Sequence, residues 1–244
     1  MLWALKNVRT LSDKGIHQNR TIVIKNDRIQ AFGSNEAMER KYDFDKIVDG
    51  TNKLALSGLI NGHTHFCHGR LRGALDELPF DNWLQKVNDY RANVKKKDIK
   101  IVTSLLCLEL LKSGTTTLVS HQNPRFIEES LRIVSKFKLR GVFAPIVMDE
   151  GDIPRELNFT PSKTVSKTKS IEKIAKQIDK RLKILYGPMS LHNCSLDLLK
   201  TISEANGEHQ LGVHIHACET NEGSREIKRK FGKSEVELLK SLGI

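Results

Sequence analysis

Leu59-Ile60-Asn61-Gly62-His63-Thr64-His65 is an apolar run that ends in two histidines separated by one residue. Alternate side chains of a β-strand face the same way, so the run predicts a strand that presents both imidazoles on one side. Two neutral imidazoles directed at one point commonly bind a divalent metal ion, typically zinc. The same spacing recurs at His214-Ile215-His216, again after an apolar run. We therefore expect two distant strand ends to contribute to one metal site.

The sequence that follows this first strand alternates between strand and helix patterns. Such alternation predicts a parallel sheet with helical crossovers. A polar stretch, Asp149 to Ser166, predicts a loop. The further predicted strands are Thr115 to Val119, Gly141 to Met148, Leu182 to Tyr186 and Leu211 to Ala217. The predicted helices are Asp98 to Ser113, Ile127 to Leu139, Ser170 to Lys180, one capped by Ser195 that ends at Asn206-Gly207, and a last one that begins with a capping box at Ser234 to Glu237.

Histidines at the carboxyl ends of the first and fifth strands match the position of active sites in (β/α)₈ barrels. Only five strand–helix units are recognisable, whereas a complete barrel has eight. Residues 1–57 show strand patterns instead, with a hairpin that turns at Asn26-Asp27. The expected fold class is therefore α/β: an incomplete (β/α)₈ barrel over residues 58–244, preceded by a small β-sheet domain over residues 1–57.

Composition narrows the expected partners and location. The net charge is +11, from 40 basic and 29 acidic residues, but the lysines are spread along predicted helices without interleaved aromatics, so nucleic-acid binding is not expected. No apolar run approaches the ~20 residues that a membrane span needs, and we expect no secretion signal. The four cysteines form no Cys-x-x-Cys pair, which favours reduced thiols in a cytoplasmic protein. The sequence leaves open whether the chain forms a homo-oligomer.

Several further motifs accompany the opening stretch, in a fixed order along the chain. They are Leu71-Arg72-Gly73, Asn82-Trp83-Leu84, Gly114-Thr115-Thr116-Thr117, Tyr186-Gly187-Pro188 and His214-Ile215-His216-Ala217-Cys218-Glu219-Thr220. With Gly58 to His65, they resemble the amidohydrolase superfamily, in particular its cytosine-deaminase-like and chlorohydrolase-like branch. That branch acts on purine, pyrimidine and triazine rings, so the resemblance implies a small heterocyclic substrate.

The resemblance also implies roles for individual residues. His63 and His65 would be the metal ligands of the first strand, and His216 the ligand of the fifth. Glu219 would carry a proton to the substrate ring, and Trp83 would line the substrate pocket. The implied cofactor is one divalent ion, Zn²⁺, with Fe²⁺ as the alternative.

Some positions leave alternatives open. His214 shares a strand face with His216, so spacing alone does not choose between them, although the downstream Glu-Thr pair favours His216. The family often has a histidine directly after the Gly-Pro of the fourth strand, where this chain has Met189. His192, three residues later, is the candidate substitute for substrate binding. His121, at the end of the second strand, is a further candidate pocket residue.

The implied reaction is hydrolytic deamination, or dechlorination, of a nucleobase-like or nucleoside-like amino heterocycle by a metal-activated water. Two family residues, a sixth-strand histidine and an eighth-strand aspartate, lie outside these 244 residues. The family also has a pocket glutamate shortly after Trp83. This chain shows no such glutamate, and Arg91 or Ala92 lies near its expected place. We therefore expect this polypeptide alone to be weakly active or inactive. The alternatives are an inactive fragment or pseudoenzyme that acts as a binding module, and a barrel whose remainder is encoded on a following piece.

Overall fold

A computed structural model describes residues 1–151, 153 and 157–244, apart from the side chain of Cys67. Residues 152 and 154–156, inside the predicted loop, lie outside the described residues. The chain forms two compact units, Met1–Gly58 and Leu59–Ile244. None of the helices in the described parts of the chain combines the length and apolar character that a bilayer crossing needs.

The first unit is a five-stranded sheet. Its strands are β1 Leu2–Ser12, β2 Gly15–Lys25, β3 Arg28–Ser34, β4 Lys46–Asp49 and β5 Leu54–Ala55, with a short helix α1, Asn35–Glu39. The order is β3-β2-β1-β4, and β5 also pairs with β1. The predicted hairpin is confirmed, because β2 and β3 are antiparallel and Asn26 takes a left-handed φ of 57° at the turn. Sequence patterning missed β1, whose alternation is broken by register shifts between Leu5 and Thr10 around the left-handed Asn7.

The second unit is built on a parallel sheet in barrel order. Its strands are β6 Leu59–Thr64, β7 Thr115–Gln122, β8 Arg140–Val147, β9 Leu182–Ile184 and β10 Gly187–Pro188. β6 pairs with β7 and β7 with β8, while β9 and β10 both pair with β8, all in parallel. The fourth barrel strand is therefore two short pieces rather than the single predicted strand from Leu182 to Tyr186.

The predicted fifth strand, Leu211 to Ala217, is wrong as a regular strand. The segment makes only two parallel bridges in the described structure, Val213 with Tyr186 and His216 with Ser190. The neighbouring fourth strand is itself divided between β9 and β10, so a continuous ladder has no partner to run along. The bridges nevertheless hold the segment beside the fourth strand, which is where the barrel order requires it.

Helices connect the strands of the second unit. A 3₁₀ helix spans Phe66–Leu71, and the α-helices are α2 Phe80–Asn93, α3 Lys96–Lys112, α4 Ile127–Lys136, α5 Pro161–Ile178, α6 Leu196–His209, α7 Asn221–Phe231 and α8 Glu235–Ser241. The predicted helices over α3 and α4, the Ser195 cap of α6 and the capping box of α8 are confirmed.

Two helix predictions need correction, and one helix was missed. α5 begins at Pro161, nine residues before the predicted start, because proline is well suited to the first turn of a helix. α6 continues past Asn206-Gly207 to His209 and ends where Gln210 adopts a left-handed conformation. α7, capped by the Thr220 hydroxyl, was not predicted; its polar sequence has little apolar signal, and its one buried residue is Ile227.

Two apolar clusters hold the helices against the sheet. One includes Leu118 and Phe143 of the strands and Leu131 of α4, and the other includes Ile146 together with Leu198 of α6. Each such fully buried side chain contributes about 1.5–3 kcal/mol relative to an exposed one. This packing fixes the carboxyl ends of the strands, where the two His-x-His segments lie.

Candidate metal centre

Three imidazoles from the two His-x-His segments meet at the carboxyl end of the sheet. His63 lies on β6, His65 directly follows it, and His216 lies on the segment bridged to Ser190. The Nε2 atom of His65 is 3.1 Å from Nε2 of His63 and 3.2 Å from Nε2 of His216. One nitrogen from each of the three rings lies within 4.8 Å of the others. The structure thus brings together residues that are about 150 positions apart in the sequence.

The spacing of these nitrogens fits a divalent cation. Zn–N bonds of about 2.0–2.1 Å at tetrahedral angles place neighbouring ligand nitrogens about 3.3 Å apart. The two close Nε2 pairs have nearly that separation. Three imidazoles also leave coordination positions open, as catalytic zinc sites require. The donor set and its geometry therefore suit a zinc-type ion.

Hydrogen bonds on the far side of two rings set the direction of their lone pairs. His65 Nδ1 donates to the carbonyl oxygen of His121, and His216 Nδ1 donates to that of Met189, both at 2.8 Å. A neutral imidazole has one N–H, so these bonds leave Nε2 of each ring as a bare acceptor that faces the centre. Such outer hydrogen bonds are typical of histidine ligands.

The surroundings favour the neutral form of His63 and His65. Burial lowers the pKa of His65 to about 3, and the nearby positive charge of Arg91 acts in the same direction. Burial also lowers the pKa of His63, with a further contribution from His216, while the negative charge of Glu219 opposes it. Metal binding requires neutral imidazoles, so the site is ready to bind near neutral pH without competition from protons.

A cavity of about 650 Å³ opens at His216, one of the three imidazoles. His216, Glu219, His192 and Met189 all line it. Glu219 is exposed to this space, three residues after His216, and its charge acts on His63. The His192 ring is also exposed and lies 3.8 Å from the carboxylate of Glu226. The structure thus places the predicted proton carrier and one predicted substrate contact on one cavity wall.

The other two predicted substrate residues lie elsewhere. His121 is fully buried; its ring is 4.8 Å from that of His216, and its Nε2 donates to the carbonyl oxygen of Gly187. Trp83 on α2 is half-buried and meets the cluster through His68, at 6.3 Å between ring centroids. Neither side chain is among those that line the 650 Å³ cavity.

Sequence reasoning missed two residues of the cluster. The His68 ring stacks on His65 at 4.6 Å, and the Arg91 guanidinium donates from Nε to His68 Nε2 at 3.0 Å. Arg91 is only 1% exposed. The available signals were the three-residue step from His65 to His68 and the place of Arg91 near an expected pocket glutamate. Burial of Arg91 beside the rings could not be read from either signal.

Comparison with known proteins identifies the family of this chain. The model of the amidohydrolase family matches residues 54–244. This chain belongs to the amidohydrolase family. A 5-methylthioadenosine/S-adenosylhomocysteine deaminase from Thermoanaerobacter pseudethanolicus is 31% identical over 244 residues, which cover 98% of this chain and 54% of that protein. A 5'-deoxyadenosine deaminase from Methanothermobacter thermautotrophicus is 31% identical over 210 residues, which cover 83% of this chain and 46% of that protein.

Solved structures agree on the fold of this amidohydrolase chain. An atrazine chlorohydrolase from Arthrobacter aurescens TC1, complexed with zinc, superposes with a TM-score of 0.87 at 19% identity, over 99% of this chain and 58% of that one. The expected α/β fold, an incomplete (β/α)₈ barrel that follows a small β-sheet region, is confirmed. The chain spans about half the length of the curated relatives described above.

Proposed function

We propose that this chain forms part of a metal-dependent hydrolase that deaminates a purine nucleoside or a similar amino heterocycle. The observation that carries the proposal is the convergence of the His63, His65 and His216 Nε2 atoms beside a cavity that also exposes Glu219. Family membership and the deaminase relatives at 31% identity support deamination first. Dechlorination of a triazine is the second candidate, and the fold shared with a chlorohydrolase favours it less strongly.

Each residue has a defined part in this proposal. A divalent cation, when held by His63, His65 and His216, would supply Lewis-acid activation of water at neutral pH. We propose one ion per chain, Zn²⁺ in preference to Fe²⁺. The Glu219 carboxylate would accept a proton on the cavity side and pass it to a ring nitrogen of the substrate, as a general acid–base does.

The substrate would occupy the 650 Å³ cavity. That volume lies within the ~300–1,000 Å³ typical of small-molecule sites and is large enough for a nucleoside. His192 would contact the substrate from the cavity wall. Trp83 and His121 would act through the rings that they touch, His68 and His216, and so shape the pocket from behind. The relatives' substrates point to adenine nucleosides modified at the 5' position.

A cytoplasmic location is part of the proposal. Cys107, Cys194 and Cys218 are free thiols, and burial raises the pKa of both Cys107 and Cys194 to about 12. Unpaired thiols are typical of proteins from reducing compartments, and the raised pKa makes the two buried ones unreactive.

The test measures metal binding and product release on the 244-residue chain. Zinc binding is measured by competition with a chromophoric chelator, and ammonia or chloride release from 5'-methylthioadenosine, S-adenosylhomocysteine, 5'-deoxyadenosine and a chlorotriazine. We expect one zinc per chain and slow ammonia release from the nucleosides. Glu219→Gln should lower that release by about 10²–10⁴-fold at unchanged zinc affinity. Glu208→Gln, an exposed change on α6, serves as the control.

The outcomes separate the proposals. Failure to bind zinc would reject the metal site and the hydrolase together. Zinc binding without any ammonia or chloride above background would reject catalysis by this chain and support the binding-module alternative. Chloride release without ammonia would move the assignment to dechlorination.

A further inference from the structure

His214 makes a contact with the metal centre that the proposed reaction does not use. Its Nε2 atom lies 2.8 Å from Nδ1 of His63, and the two rings are nearly parallel, with 5.0 Å between centroids and 17° between planes. That separation is a hydrogen bond, in which one of the two nitrogens carries the hydrogen and the other accepts it. The direction of this bond determines what His214 does.

Ligand chemistry fixes the direction. His63 points Nε2 toward His65 Nε2, 3.1 Å away, at the centre of the three-ring group. A nitrogen that binds a cation must offer a bare lone pair, and a neutral imidazole has a hydrogen on only one of its nitrogens. If His63 binds through Nε2, its hydrogen is on Nδ1, so His63 is the donor and His214 Nε2 the acceptor.

The other two rings of the group provide the pattern for comparison. His65 and His216 each donate from Nδ1 to a backbone carbonyl at 2.8 Å, that of His121 and that of Met189. Nδ1 of His63 instead faces a side chain, that of His214. Each of the three rings thus has a hydrogen-bond partner at Nδ1. For His63 that partner is the side chain of His214 instead of a backbone carbonyl.

We propose that His214 is a positioning residue, which accepts the Nδ1 hydrogen of His63 and thereby holds His63 Nε2 toward the cation. This inference rests on the proposed metal site. It also separates the two histidines of the downstream segment, because His216 would bind the ion directly and His214 would act through His63. Outer hydrogen-bond partners of this kind typically change metal affinity by about 10–100-fold when removed.

The experiment compares an acceptor with a non-acceptor at position 214. His214→Leu removes the acceptor nitrogen and introduces an apolar side chain of similar size. His214→Gln offers an amide oxygen as the acceptor instead. Zinc affinity is measured by chelator competition, and the tautomer of His63 by ¹⁵N NMR of the imidazoles without metal. His209→Leu is the control, since the ring of His209 at the end of α6 contacts Tyr186 rather than the cluster. Circular dichroism checks the fold of each variant.

We expect His214→Leu to lower zinc affinity about 10–100-fold and to shift His63 from the Nδ1–H tautomer to a mixture. His214→Gln should restore most of both properties, and His209→Leu should change neither.

Unchanged affinity and tautomer in the leucine variant would overturn the inference while the metal site stands. Equal losses in the leucine and glutamine variants would indicate packing instead of acceptance, and also overturn it. A loss in zinc affinity of more than about 100-fold, as expected for His216→Ala, would make His214 a ligand and contradict the positioning role. A wild-type chain that binds no zinc would reject the proposed function, and the inference with it.

Discussion

The two His-x-His segments have the same spacing but different surroundings. His63-Thr64-His65 lies at the end of strand β6, whose pairing with β7 shifts register between Asn61 and Thr64, and both of its rings join the three-ring group. His214-Ile215-His216 is held by isolated bridges, and only His216 joins that group, whereas His214 hydrogen-bonds to His63. A two-residue step therefore ensures a shared face but not a shared role. The role depends on what each ring meets on its far side.

The largest expected effect tests whether His65 and His216 are equivalent across the two segments. His65→Ala and His216→Ala should each lower zinc affinity by more than about 100-fold, which is about 2.7 kcal/mol, because a lost ligand costs more than a lost outer partner. Isothermal titration with zinc measures both. His209→Leu should bind like wild type. If either alanine variant kept near-normal affinity, the residue concerned would not be a ligand.

A second change acts on the backbone beside the downstream segment. A Cβ at Gly187 would lie 2.3 Å from the carbonyl oxygen of Pro145, a backbone atom that has no flexible side chain to move. Gly187→Ala should therefore destabilise the chain by about 1–3 kcal/mol, as overpacking does, and displace β10, which directly precedes Met189. Urea unfolding measures the loss.

Gly207→Ala is the matched control for that change. Gly207 lies within α6, and a Cβ there meets nothing within 4 Å. Because alanine favours helix more than glycine does, this variant should be more stable than wild type by about 0.5–1 kcal/mol. A Gly187→Ala chain as stable as wild type would show that strand β10 can shift without cost.

Acid should lower the stability of the metal-free folded chain. The pKa of His65 is about 3 and that of His214 about 4, in both cases chiefly because of burial. The unfolded chain takes up protons at these rings below about pH 6.5, before the folded chain does, so stability falls as the pH drops through that range. We expect His65 to contribute a loss of about 1 kcal/mol between pH 6 and pH 5.

Urea unfolding in EDTA at both pH values measures this loss. His65→Asn lacks the titrating ring and should show a flatter dependence. An equal slope in wild type and variant would mean that the His65 ring is protonated as easily in the folded chain as in the unfolded one.

The smallest expected effect concerns the turn between His216 and Glu219. Cys218 adopts a left-handed φ of 58°, a conformation that is strained for side chains other than glycine. Cys218→Gly should leave stability within about 1 kcal/mol of wild type, on the stabilising side, and the β-branched Cys218→Val should lower it by less than about 1 kcal/mol. Thermal unfolding of both variants decides the sign. A less stable glycine variant would indicate that the loop gains more from cysteine packing than it loses in strain.

The sequence was sufficient for the parts of the fold that local patterns determine. The turn at Asn26 and the capping box at Ser234 follow from side-chain chemistry within a few residues, and both were predicted correctly. Elements that depend on distant partners were harder. The division of the fourth strand and the bridged form of the fifth arise from pairing between segments, which periodicity in one segment does not reveal.

The candidate site divides in the same way. The family motifs pointed to His63, His65 and His216, because ligand residues are carried at fixed places within short sequence patterns. Arg91 lies beside His68 only through the packing of α2, and the choice between His214 and His216 depends on a ring contact with His63. No spacing within the sequence contains that information.

The acceptor for the His216 ring is a peptide carbonyl, that of Met189. A peptide group keeps its oxygen whatever side chain its residue carries. Position 189 also faces the cavity, and it has methionine where the family resemblance implies histidine. A substitution at position 189 would therefore change a side chain that lines the cavity while the orientation of the neighbouring imidazole is preserved. Single substitutions here would reshape the cavity wall without removing the hydrogen bond that orients the His216 ring.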